Sequence, residues 1–437
     1  MAVVGDLDGR ILKLAVPALG ALAVEPLYVA VDTAMIGRVG TSELAGLALA
    51  AAVMSLLAAG ANFLTYGTTQ QVARAAGADD LKAARRAART AGWVAMAAGI
   101  IALPVVWAAR GVIVSLLGGS GGSADHAATY LGISALGLPA VMLMLSSQGV
   151  FRGHADYRTP LWILLGSNGA NAAIEWVLVF ELDLSVAGSA WSTVVAQWGA
   201  AVALVCLQCR RYGSVFGSRP TASEAAPLLT AGRHLLLRVT GLIVVFTGST
   251  SLMARRSEVD LAAHQIVMSL FLLLALILDA LAIPAQTLVA ESVGAGERPA
   301  ARELTRRTER LSLVAGLALA LSLVATSGLV PHLFTSDIAV VDNAREAVGI
   351  LGIMLIPGAI AFAGDGVLIG LGDYRFIGRL SFVTLLVVSP LYPVLARAGA
   401  GLGTLWLSLT GWMVLRAVSV HLRHRHLLDS RPVSQTP

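Results

Sequence analysis

Apolar stretches long enough to cross a bilayer recur twelve times along the chain. Six lie near residues 11–36, 44–70, 88–110, 127–150, 160–181 and 186–208, and six more near 228–253, 261–290, 308–331, 344–370, 376–396 and 401–422. About 20 residues of helix cover roughly 30 Å of hydrocarbon, and short charged or turn-rich breaks separate the stretches. Runs of that length predict helices, because barrel strands would alternate over segments of about 10 residues. Composition agrees: 57% of the 437 residues are hydrophobic and 13% charged, and the mean hydropathy is +0.77. A soluble globular domain does not carry that balance.

The two sets of six are one unit written twice. Residues 43–86 align on 260–303 without a gap: Leu44-Ala45 falls on Leu261-Ala262, Val72-Ala73 on Val289-Ala290, and Ala83-Ala84-Arg85 on Ala300-Ala301-Arg302. The same register carries Asp156-Tyr157-Arg158 onto Asp373-Tyr374-Arg375. Internal duplication in so apolar a chain points to a membrane transporter. An even number of crossings per copy gives both copies the same orientation. The expected fold is therefore an all-α integral membrane protein, with twelve transmembrane helices in two six-helix lobes related by a pseudo-twofold axis along the membrane normal. The expected lobes are 1–208 and 228–437, the second ending in a short cytoplasmic tail. Residues 209–227, with Arg210, Arg211, Gly213, Gly217, Pro220 and Pro227, read as a cytoplasmic linker.

Charge sets the expected orientation. Of 31 Lys and Arg, only Arg38, Arg110, Arg255, Arg256, Arg345 and Arg397 fall outside when the N-terminus is placed in the cytoplasm. Both termini are then cytoplasmic in a plasma or inner membrane. The net charge of +5 needs no nucleic acid: a cytoplasmic basic belt meets anionic lipid headgroups. The first apolar stretch is too long for a cleavable signal core and is expected to stay in the protein. Cys206 and Cys209 form a lone C-x-x-C, read as two ordinary small residues. The chain contains no H-E-x-x-H, G-x-S-x-G or Walker loop, so no enzyme activity and no cofactor are expected.

Ionisable groups inside hydrocarbon each require a reason. Glu25 and Asp32 lie two helical turns apart on one face of the first helix, which also contains Pro17 and Pro26. Each proline removes a backbone hydrogen bond and makes a bend easier. The alternative is that either acid sits at a solvated helix end. Asn171 and Glu175 share a face of the fifth helix at i, i+4, and Thr193 on the sixth approaches them if those helices pack. Such a cluster holds a proton or small cation, or else serves as interhelical glue.

The repeat register separates the lobes chemically. Asp32-Thr33 falls on Ser249-Thr250, Asn171 on Val388 and Glu175 on Tyr392, so the second lobe lacks these acids. Asn62 falls instead on Asp279 and Gln148 on Asp365. Asp279 and Asp365, with His264, Gln265 and Gln286, form a candidate second polar site; the alternative is that some of them line water near a loop.

At these residues the chain resembles the multidrug and toxic compound extrusion (MATE) family of transporters, and more closely its DinF-like branch. The resemblance rests on Pro17, the run Val31-Asp32-Thr33-Ala34-Met35-Ile36-Gly37, the segment Arg152-Gly153 through Asp156-Tyr157-Arg158-Thr159-Pro160, and Val186-Ala187-Gly188 through Thr193 and Gln197. In the second lobe it rests on Ala262-Ala263-His264-Gln265-Ile266, Leu278-Asp279-Ala280 and Asp365-Gly366 through Asp373. It implies an antiporter that expels organic cations or other amphipathic drugs and metabolites in exchange for protons or sodium. It also implies that Asp32 is the coupling-ion site, with Asn171, Glu175 and Thr193 beside it. Many relatives have Asp where this chain has Glu175, so ion preference does not carry over. No resident metal is expected, sodium at Asp32 and Glu175 standing open beside a proton. The nearest rival reading is a flippase for lipids or lipid-linked precursors, which would need cationic side chains at membrane depth; Arg238 is the main candidate.

Overall fold

The computed structural model describes residues 7–429, which are helical with short turns between. Residues 430–437 of the expected tail lie outside the described residues. Among the described residues, twelve helices are long and apolar enough to span a membrane. They are α1 (Leu7–Ile36), α2 (Thr41–Gly77), α3 (Leu81–Leu116), α4 (Gly121–Gly153), α5 (Arg158–Glu181), α6 (Ser185–Tyr212), α7 (Ala222–Ala254), α8 (Glu258–Gly294), α9 (Arg298–Ala325), α10 (Ile338–Leu371), α11 (Tyr374–Arg397) and α12 (Leu402–Asp429). The protein is an all-α multi-pass membrane protein, as its hydropathy pattern predicts.

Local chemistry places the helix ends. The Asp80 side chain accepts from Ala83 N–H at 2.8 Å and starts α3. Asp337 does the same for α10 through Ala339 N–H at 2.9 Å, and Gly372 closes α10 in the left-handed region at φ 79°. Between α6 and α7 the coil is confined to 213–221, shorter than the 209–227 expected for a linker. A capping box is the cause: Thr221 Oγ1 accepts from Glu224 N–H at 3.3 Å, while Glu224 Oε2 accepts from Thr221 N–H at 2.8 Å. Its T-x-x-E spacing was readable, and it starts α7 ahead of Pro227.

By contacts the described residues form two compact units, one of residues Gly20–Gly232 and the other of residues 7–19 together with residues 233–429. The helix α1 therefore contributes to both, and it stays helical through Pro17 and Pro26. In the first unit Ile36, Leu47, Leu131, Val186 and Ala190 form one buried cluster, and Leu64, Ala91, Leu143 and Ala201 another. In the second, α10 is central, packed by α8, α9 and α12, with Met253, Val267, Leu351 and Trp406 in its core. Leu7, Ile11 and Ala15 of α1 pack there against Leu288, Val289 and Val367.

Each unit reproduces two features of the repeat. Gly149 and Gly153 on α4 lie against the backbone of Thr65 and Thr69, where an added Cβ would meet carbonyl oxygens at 2.8 and 3.1 Å. Their counterparts Gly366 and Gly370 on α10 lie against Ala282 and Gln286, at 2.3 and 2.6 Å. Helices in lipid gain little from expelling water and associate through such close small-residue crossings. The repeated Asp-Tyr-Arg segment gives the second feature. Asp156 accepts from Thr159 N–H and pairs with Arg211 at 3.0 Å; Asp373 accepts from Phe376 N–H and pairs with Arg423 at 2.7 Å. One aspartate thus caps one helix and ties down the end of another.

Candidate functional site

In the first unit, Asp32 is 4% exposed on α1. Ser189 Oγ of α6 donates to its Oδ1 at 2.5 Å. One turn further along α6, Thr193 Oγ1 donates to Ser189 O at 2.9 Å and shares a 2.6 Å hydrogen bond with the Tyr28 hydroxyl of α1. Asn171 Nδ2 of α5 donates to the same Thr193 oxygen at 3.3 Å. Glu175, one turn along α5, is fully buried beside Asp32 and Ser189. Tyr130 of α4 is buried against Asp32, Tyr28 and Thr193. Helices α1, α4, α5 and α6 thus converge on two carboxylates, an amide and four hydroxyls.

Of the expected residues, Asp32, Asn171, Glu175 and Thr193 come together. Glu25 does not: it is exposed on α1. Pro17 is buried and Pro26 exposed. Ser189, Tyr28 and Tyr130 were missed. Tyr28 precedes Asp32 by one turn and Ser189 precedes Thr193 by one turn, so i, i+4 spacing would have found both; no local signal marks Tyr130.

The electrostatics are unusual for a buried site. Both oxygens of Glu175 and Oδ1 of Asn171 have no hydrogen-bond partner. A buried carboxylate without partners is costly when charged, and two adjacent carboxylates cannot both ionise without a compensating cation. Oxygen ligands on this frame suit a shared proton or a small hard cation.

The second unit is built differently. His264 is fully buried on α8, its Nε2 3.2 Å from Ser249 Oγ and 3.3 Å from Thr250 Oγ1, with Trp406 alongside. The two hydroxyls occupy the repeat positions of Asp32 and Thr33. Asp365 is buried on α10 between two guanidinium groups, Arg238 at 3.0 Å and Arg416 at 2.7 Å. The half-buried Asp279 lies within electrostatic reach of all three. Gln286 is buried, whereas Gln265 is exposed. Arg416, which the loop-by-loop charge count places in the cytoplasmic belt, is instead buried within α12 at 5% exposure, held by Asp365 and stacked near Trp412.

Twelve long apolar helices in two like-built halves, with ionisable clusters buried in each half, define a multi-pass membrane transporter rather than an enzyme. Comparison with known proteins agrees. The MatE family profile matches residues 17–177 and 236–394, once in each repeat. The chain belongs to the MatE family of multidrug and toxic compound efflux transporters. It is 30% identical over 441 residues to Protein DETOXIFICATION 44, chloroplastic, of Arabidopsis thaliana, covering 95% of this chain and 82% of that protein. It is 26% identical over 437 residues to DNA damage-inducible protein F of Escherichia coli (strain K12), covering 96% and 92%. The fold matches a crystal structure described as MATE in the bent conformation, with a TM-score of 0.91, 18% identity, and 97% and 96% of the two chains covered.

Proposed function

We propose that this transporter is a secondary antiporter that exports organic cations or other amphipathic small molecules in exchange for protons, with sodium the alternative coupling ion. The observation that carries the reading is the buried pair Asp32 and Glu175, with both oxygens of Glu175 unpartnered. A proton entering from outside neutralises Asp32 and loosens its hold on Ser189 and the neighbouring Asn171 and Thr193. Helix α1 then bends near Pro26 and Pro17, and the bound cation is released outward. Loss of the proton to the cytoplasm restores affinity; ligand and proton select different states of one equilibrium. Glu25, exposed in this state, is assigned a role on the route to Asp32.

His264, Asp279, Asp365 and the exposed Gln265 form the proposed second-lobe polar site, and the lobes are taken as 1–208 and 228–437. The excess of Lys and Arg on one set of loops supports a plasma or inner membrane with both termini cytoplasmic. Membrane lipids are the expected partners of that belt.

The flippase reading draws on Arg238 and Arg416, both largely buried. Asp365 and Asp279 match them charge for charge, which leaves no surplus positive charge for a phosphate headgroup and favours the antiporter. Purified protein in proteoliposomes, given a fluorescent cationic dye and either a pH or a sodium gradient alone, tests the proposal. Dye counterflow under one gradient, lost in Asp32→Asn, supports it; counterflow that persists in Asp32→Asn defeats it.

A further inference from the structure

Apart from the membrane-buried clusters, three metal-ligating side chains converge between α9 and α12. His421 and His424 lie at i, i+3 on one face of α12, and Glu309 faces them from α9. His421 Nδ1 and His424 Nε2 each lie 2.8 Å from the same atom, Glu309 Oε1. The three ligand atoms fall within 4.8 Å of one another. His424 is 1% exposed, and its Nδ1 has no partner, so its only polar outlet is Nε2, aimed at Glu309. His421 remains 37% exposed and gives the cluster an opening to solvent.

We infer that Glu309, His421 and His424 form a binding site for a divalent first-row transition-metal ion of the zinc type. Two imidazole nitrogens and a carboxylate oxygen are a zinc ligand set, with a fourth position left for water. Zinc binds nitrogen and oxygen at about 2.0–2.2 Å, so the donors of a tetrahedral site stand about 3.3 Å apart. Reaching that spacing needs Glu309 to retreat by about 0.5 Å from each nitrogen, and the two nitrogens, which lie within 4.8 Å of one another, to close by no more than about 1.5 Å. The ion replaces the two hydrogen bonds to one oxygen with metal–ligand bonds, and protons held on the ligating nitrogens leave to solvent or shift to the other ring nitrogen. The two neutral imidazoles leave the charge of the divalent ion untouched, and the Glu309 carboxylate offsets half of it.

The consequence is mechanical. Helices α9 and α12 each pack along α10, and a shared ion fastens their ends to one another.

The test uses tag-free, full-length protein in detergent with Cys206→Ser and Cys209→Ser, which removes the competing thiols. Titration with zinc, and separately with cobalt(II), is expected to load one ion per chain. The melting temperature should rise with zinc concentration, as for any ligand of the folded state. Cobalt should give visible d–d bands without a thiolate charge-transfer band. Glu309→Gln and His421→Ala should each weaken binding at least tenfold. His424 is deeply packed, and its alanine variant can fail to fold; His421→Ala, partly open to solvent, then decides. Failure of the double-serine protein to take up zinc overturns the inference, as does unchanged uptake in both Glu309→Gln and His421→Ala.

Discussion

Ser189 Oγ donates a 2.5 Å hydrogen bond to Asp32 Oδ1, joining α6 to the one carboxylate of α1 that is sealed from solvent. The bond fixes which way the carboxylate points while leaving its other oxygen free of Ser189. Ser189→Ala removes a positioning contact and leaves the acid. The expected result is a transporter that still couples, with the pH dependence of dye efflux displaced and the maximal rate reduced less than tenfold. A pH profile in proteoliposomes reads this; an unchanged profile would show that Ser189 does not position Asp32.

Asp32→Asn is expected to abolish gradient-driven efflux, a loss of at least tenfold, while the protein remains folded. Asparagine keeps the shape and can still accept from Ser189, but it cannot exchange a proton. Size-exclusion behaviour and the melting temperature check the fold, and dye efflux checks the coupling.

Glu175→Gln separates stability from function. Glu175 is fully buried with two unpartnered oxygens, so an amide of equal size removes no hydrogen bond and relieves the cost of burying charge. Stability should stay within about 1 kcal/mol of the parent or rise, and efflux should fall at least tenfold. Glu175→Asp keeps the charge and should retain part of the activity. A large drop in melting temperature for Glu175→Gln counts against this account.

Arg416→Met should be strongly destabilising, on the order of 3 kcal/mol, because breaking one side of a buried ion pair leaves charge uncompensated. Arg238 still contacts Asp365 and limits the loss. The double variant Arg416→Met with Asp279→Asn restores charge balance and is expected to recover part of it. Thermal unfolding in detergent measures both.

Gly366→Ala places a Cβ 2.3 Å from the carbonyl oxygen of Ala282 and forces α8 and α10 apart. Overpacking of this kind costs about 1–3 kcal/mol. Gly411→Ala, whose added Cβ meets nothing within 4 Å, is the matched control and should leave the melting temperature unchanged.

Much of this was legible in the sequence because hydrocarbon imposes a strict rule: every spanning segment must satisfy its own backbone, so helices announce themselves by length and polarity. The acids Asp32 and Glu175 were legible for the same reason. What a helix meets was harder to read. Glu25 shares a stripe of α1 with Asp32, yet Asp32 and Tyr28 hydrogen-bond to α6 while Glu25 is exposed. Gln265 follows His264 directly but points the other way. Arg416 looked cytoplasmic because charge counting treats every basic residue near a helix end alike, and its partner Asp365 is 51 positions away in the chain. The early start of α7 was written in Thr221 and Glu224, beneath a proline that seemed to forbid it.

The glycine crossings, alike in both copies, carry a final implication. Bare backbone at these points brings α4 onto α2 and α10 onto α8, with the Thr65 and Thr69 hydroxyls adding hydrogen bonds to Leu145 O and Gly149 O in the first copy, and neither crossing is made through Asp32, Glu175, Arg238 or Arg416. One copy was free to keep a pair of acids and the other to assemble arginines around Asp365. Duplication here preserved the joinery and let the contents of each room be refurnished.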